Sequence, residues 1–229
     1  PDEVVKLRMK EIELENSLLS GDKGIGRVSK NIIDIINKNG LTIYKFNKLK
    51  LINVSDLKSE QIKILKKIRD GIPKIDANTV IQKTIPEEDI DGYLNGGWNR
   101  IGGYIAKYDD VKNIKSYSDV VESLRLDYLT ADGRRPYPDG GKIYGYIKFT
   151  TSEVDEISIP YGKEFGGTNE DGAPCTLNGF TGSHNGTIIP EWVLNKRVTP
   201  SIGSELHKVV DGVDTIIGIF DGVKFVSTY

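Results

Sequence analysis

Three groups of residues in this chain have the types that chemistry on a charged, sugar-containing ligand needs. They are Arg125, the run Thr150-Thr151-Ser152, and Glu191. They lie 27 positions apart (125 to 152) and 39 positions apart (152 to 191). A guanidinium clamps a pyrophosphate through paired, charge-assisted hydrogen bonds. Hydroxyls at a strand end hold a ribose or orient a carboxylate, and a glutamate stabilises the oxocarbenium ion that forms as a glycosidic bond breaks. Together these roles fit cleavage of the nicotinamide–ribose bond of NAD. Each residue also has a plainer reading. Asp127 is an ion-pair partner two positions from Arg125, residues 150–152 have the composition of a turn, and Glu191 suits an exposed surface.

The stretch from Phe180 to Leu194, FTGSHNGTIIPEWVL, is the focus. It runs from a Gly-rich polar loop into a strand-like segment holding the single carboxylate Glu191 among apolar neighbours. The pKa of such an acid depends on what the fold packs around it.

Composition narrows the alternatives. The chain has 229 residues, 28% of them charged, and a formal net charge of only -2, so no global field draws it to nucleic acid or to an acidic surface. One cysteine, Cys175, excludes an internal disulfide framework. The two histidines, His184 and His207, are 23 positions apart and neither sits in a metalloprotease motif, so no protein-held metal is expected. No apolar run approaches the ~20 residues that span a bilayer. The start at Pro1 suggests a fragment of a longer chain.

The elements that must position these groups fall into two parts. Residues 1–75 read as helical: a first helix over 1–20, a second over 28–38 stopped by Asn39 and Gly40, and a third capped by Ser55 and ended by Gly71 and Pro73. A short extended piece is expected over 41–54. Residues 76–229 read as a glycine-rich α+β part, since 21 of the 25 glycines lie between 71 and 229 and turns concentrate there. Helices are expected at 87–94 and, capped by Ser118, at 119–123. Strands are expected at 124–129, 143–149, 156–160, 188–194, 206–210, 215–220 and 223–226. The last three are joined by Asp211-Gly212 and Asp221-Gly222, pairs that tight hairpins use. The fold class is therefore α+β, with N-terminal helices followed by a mainly antiparallel β core.

The order of the pieces resembles the mono-ADP-ribosyltransferase toxins, in particular the actin-modifying enzymes of clostridial binary toxins. The landmarks are Leu124-Arg125-Leu126, Phe149-Thr150-Thr151-Ser152, Ile157-Ser158-Ile159-Pro160-Tyr161-Gly162, Gly179-Phe180-Thr181-Gly182 and Glu191-Trp192-Val193-Leu194, preceded by the segment Asp91 to Trp98. The similarity spans roughly residues 85 to 225. It implies an ADP-ribosyltransferase-like core in which Glu191 is the catalytic glutamate. Arg125 then contacts the phosphate or ribose of NAD, Thr151 or Ser152 supports the site, and Phe180 is the aromatic of the acceptor-recognition loop. NAD is implied as substrate, without a metal. A macromolecular acceptor, an immunity or activating protein, and secretion or delivery into a target cell are implied as well. The chain departs from the pattern at Ile189, where the family has Glu or Gln, so transfer to a macromolecule and hydrolysis both stay open. Two other functions compete. A metal-independent ribonuclease toxin would use His184, His207, Lys208 and Thr181. A non-catalytic binding module would use the N-terminal helices as its surface.

Overall fold

The computed structural model describes residues 28–229, so the helix expected over 1–20 lies outside the described residues. Three helices come first: α1 (Lys30–Lys38), α2 (Ile43–Lys50) and α3 (Ser59–Asp70). The segment expected to be extended at 41–54 is largely helix α2. Its buried residues Ile43, Phe46, Leu49 and Lys50 follow helical spacing, and the Thr42 hydroxyl accepts a hydrogen bond from the Lys45 amide at 3.2 Å. Helix α3 starts at Ser59 rather than behind Ser55, which belongs to a short 3-10 turn. The Gln61 side chain reaches back to accept from the Lys58 amide at 2.8 Å.

The rest of the described chain alternates strands and short helices: β1 (Ile81–Pro86), α4 (Glu87–Leu94), β2 (Ile101–Lys107), α5 (Tyr108–Val111), α6 (Tyr117–Leu124), β3 (Ile143–Phe149), β4 (Ile157–Ser158), β5 (Trp192–Val198), β6 (Glu205–Val210), β7 (Val213–Phe220) and β8 (Phe225–Ser227). They form one curled antiparallel sheet in the order β4-β5-β2-β1-β3-β6-β7-β8. The α+β class is as expected. The hairpin between β6 and β7 turns on Asp211 and Gly212 with φ of +49° and +80°, the left-handed pair that a two-residue turn requires.

Two expected strands are corrected. Residues 124–129 form no strand: Leu124 ends α6, and Arg125 takes a left-handed conformation (φ 52°, ψ 55°). The Leu126 amide donates to Val121 O at 2.9 Å and the Arg125 amide to Glu122 O, a helix-ending pattern that captures orphan carbonyls and turns the chain away. The strand expected at 188–194 begins only at Trp192, so Glu191 sits immediately before β5. Conversely, β1 was not expected at all. Its sequence IQKTIP is buried on both faces and shows no alternation to read.

The sheet is split at its centre. Strands β1 and β2 pair only at Ile81–Lys107 and Gln82–Ala106. Beyond that point β1 stays with β3 as far as Pro86, while β2 stays with β5. A fork therefore opens between residues 83–86 and 101–105.

Side chains alternate across β3. Ile147 and Phe149 enter the main core under α4, whereas Tyr144 and Tyr146 enter a second core beside α5 and α6. A third core joins the N-terminal helices to the later loops: Ile36, Phe46, Leu65 and Ile68 pack with Tyr161, Phe165, Phe180 and Ile188. The helices α1 to α3 and the part 76–229 thus share buried surface. Each fully buried residue of this kind contributes about 1.5–3 kcal/mol by leaving water.

Candidate functional site

The fork in the sheet forms a cavity of about 390 Å3, within the size range of small-ligand pockets. One wall comes from Gln82, Lys83 and Thr84 of β1 and another from Gly103 to Ala106 of β2. Further lining comes from the end of α6, including Arg125, from Tyr128 and Tyr137, from residues 171–175, and from Thr181, Gly182 and Glu191. Glu191 and Arg125, 66 positions apart (125 to 191), therefore face one space.

Glu191 is delivered there by a loop that folds back on itself. The Glu191 amide donates to Gly179 O at 2.8 Å and the Thr181 amide to Ile189 O at 3.0 Å, which closes the loop at its base. The base is then pinned from outside by Arg69, the next-to-last residue of α3. Arg69 is fully buried; its Nε donates to Gly179 O and its Nη2 to Glu191 O, each at 2.8 Å, and its guanidinium lies 4.1 Å above the Trp192 ring. Gly179 makes this contact possible. Its φ is +84°, and a Cβ there would lie 2.9 Å from Arg69 Cγ. The far end of the loop is held by Lys50 of α2, also fully buried, whose Nζ donates to Ser183 Oγ at 2.9 Å and to Thr187 O at 2.6 Å. The tip docks on α6, where Glu122 accepts from the His184 amide at 2.6 Å and Ser123 from Asn185 Nδ2 at 2.9 Å.

Burial governs the electrostatics. It pushes the Glu191 carboxyl up to about 7, against the opposing pull of the Arg69 and Lys83 cations, with Asp171 adding to the rise. Burial lowers the Lys83 ammonium to about 8, while Asp89 and Glu191 act the other way. Lys83 Nζ donates to Tyr104 O at 3.2 Å, across the fork. The Tyr104 phenol is raised well above its usual range, first by burial; its hydroxyl donates to Asp171 Oδ2 at 2.5 Å and accepts from Asn169 Nδ2 at 2.8 Å. An acid near neutrality and an ammonium depressed towards it, in one cleft, form an arrangement suited to binding or proton transfer.

The other expected site residues are placed as follows. Arg125 lines the cavity but is not on a strand, and Asp127 grips it in a two-point pair, Nε to Oδ1 at 2.9 Å and Nη2 to Oδ2 at 3.1 Å. Its Nη1 donates to Gly182 O at 2.8 Å, so it also braces the Glu191 loop. Thr151 and Ser152 do not line the cavity. Thr151 is buried and donates to Thr199 O at 2.9 Å, tying the segment after β3 to the segment after β5, while Ser152 is exposed. Phe180 is fully buried against Phe46, with ring centroids 4.9 Å apart and planes at 80°. It belongs to the core shared with the helices rather than to a surface that meets an acceptor. Its neighbours Thr181 and Gly182 face the cavity instead.

Sequence reasoning missed Lys83, Arg69 and Lys50. Arg69 alone had a faint mark, since it follows Leu65 and Ile68 on the inner face of its helix; Lys83 stands between the polar Gln82 and Thr84, and Lys50 is one of three lysines between 45 and 50. Among the described residues no three or more His, Cys, Asp or Glu side chains gather as a metal site, and no helix is long and apolar enough to cross a membrane. The fold and site together define an α+β protein with a ligand-sized cleft at a split antiparallel sheet. No family model, no curated protein and no solved structure matches this chain.

Proposed function

We propose that this protein cleaves NAD at the nicotinamide–ribose bond and passes the ADP-ribose to a macromolecular acceptor or to water, as an effector of the ADP-ribosyltransferase type. The observation that carries the reading is that Glu191 and Arg125 share the wall of one cavity at the fork of the sheet. As a carboxylate, Glu191 stabilises positive charge developing on the ribose carbon while that carbon's bond to nitrogen breaks. The bonding electrons go to the pyridinium nitrogen, and nicotinamide leaves neutral. A lone pair of the acceptor or of water then forms the new bond to the sugar carbon, and the proton it carried passes to Glu191 or to solvent. Immobilisation of the loop by Arg69 and Lys50 supplies the preorganisation that such electrostatic stabilisation needs. Ile189 is fully buried, so the loop offers no side chain at that position to engage an acceptor, and water is the simpler recipient.

A ribonuclease built on the two histidines has less support. His207 is enclosed between Asp214 Oδ1 at 2.8 Å and Glu205 Oε2 at 2.9 Å and stacks on Tyr146, away from the cavity that His184's loop borders. The test is nicotinamide release on mixing purified protein with NAD. Release by the wild type and its loss in Glu191→Gln is the expected result. Unchanged turnover in that variant removes Glu191 from the mechanism, and RNA cleavage in place of nicotinamide release removes the NAD reading.

A further inference from the structure

We propose that Lys83, rather than Arg125, is the cation that receives a nucleotide phosphate in this cleft. The inference rests on the NAD reading of the same cavity for its chemistry. Among the residues lining the cavity, Lys83 and Arg125 are the two lysine or arginine side chains, so a phosphate entering it has these two cations to choose between.

Arg125 is already committed. The edge of its guanidinium that would meet a phosphate is filled by the two Asp127 oxygens, and Nη1 is drawn to Gly182 O and His184 Nδ1. A bidentate carboxylate satisfies the same geometry that a phosphate would use. Binding there would first require that pair to break.

Lys83 is in the opposite state. Its ammonium has three donors, and one goes to Tyr104 O at a long 3.2 Å. It forms no ion pair with any described carboxylate, although it is half-buried. The fold makes room for it: Gly103 has φ +79°, and a Cβ at that position would lie 2.9 Å from Lys83 Nζ. A partly desolvated ammonium with unused donors is unfavourable alone and favourable once an anion supplies the missing partners. Burial also explains its lowered proton affinity, which an incoming phosphate would reverse by favouring the charged form.

The test compares Lys83→Met with the wild type on NAD and on nicotinamide riboside, which has the same scissile bond and no phosphate. Binding of ADP is measured separately by calorimetry. The charge-assisted bonds at stake predict a loss of about 10- to 100-fold in kcat/KM for NAD, mostly through KM. That loss should exceed the loss for the riboside by about tenfold or more, with partial recovery in Lys83→Arg. ADP binding should weaken in parallel, and an unchanged melting temperature shows that the variant folds. Equal losses on both substrates would mean that Lys83 acts through Glu191, and this would overturn the proposal, as would ADP binding indifferent to the substitution. If NAD is not consumed while ADP binding depends on Lys83, the NAD reading fails and the phosphate site stands. Nicotinamide release with Lys83-independent ADP binding is the reverse outcome.

Discussion

The Arg69 guanidinium donates to the backbone carbonyl of Glu191 at 2.8 Å. A helix from the N-terminal part of the chain thereby sets the position of the carboxylate on which the proposed chemistry depends. Because Arg69 also holds Gly179 O and covers Trp192, one planar, multi-donor side chain fixes both ends of the loop base. A lysine cannot reproduce this.

Arg69→Lys should lower nicotinamide release at least about tenfold through kcat, because one ammonium cannot hold two carbonyls and lie flat on an indole. Arg69→Met, which leaves both carbonyls without their donor, should destabilise the fold by about 1–3 kcal/mol. Urea denaturation measures the second effect, and single-turnover kinetics the first.

The pH–rate profile should be narrow and bell-shaped. Glu191 acts as a carboxylate, so activity rises as pH climbs through about 7. Lys83 must be charged to hold phosphate, so activity falls as pH passes about 8. The limbs belong to the interacting pair. Lys83→Met should abolish the alkaline limb and keep the acid one, as a profile of kcat/KM against pH will show.

Stability should carry the opposite mark of the same acid. Glu191's folded pKa is raised from 4.5 to about 7, so its contribution is fully present below 4.5 and is lost as pH rises to about 7. Lys50 works the other way. Its folded pKa is lowered from 10.5 to about 7 by burial, so the associated stability is present above 10.5 and is lost as pH falls through about 7. Glu191→Gln should therefore gain stability relative to the wild type above pH 7. Lys50→Met should flatten the wild type's rise in stability between about 7 and 10.5. Chemical denaturation across this range tests both.

Phe180→Leu should reduce stability with little change in KM for NAD, since the ring lies against Phe46 and outside the cavity. The full truncation, Phe180→Ala, should cost about 3–5 kcal/mol. A selective loss of transfer to an acceptor, at unchanged stability, would return Phe180 to the surface role that the motif order suggested.

Features governed by local chemistry were legible in the sequence. The strand over 143–149 and the helix over 87–94 were read with the bounds they have, and the Asp211-Gly212 turn was recognised, because alternation, capping and positive-φ preference act over a few residues. The choice of Glu191 and Arg125 came from residue type and motif order, and both do face the cleft.

The sequence by itself thus determined the α+β class, the C-terminal hairpin and two of the side chains on the cavity wall. Tertiary structure alone decided the rest. Leu124, Leu126 and Tyr128 alternate like a strand, yet a helix ends there at a left-handed Arg125 whose side chain is held by Gly182 O, 57 positions away. Thr151 and Phe180 have suitable chemistry but are buried by segments far away in the chain. Lys83, Arg69 and Lys50 acquire meaning only when the sheet forks and the 179–191 loop closes over the helices. Burial and electrostatic environment belong to the packed whole, and no window of neighbouring residues contains them.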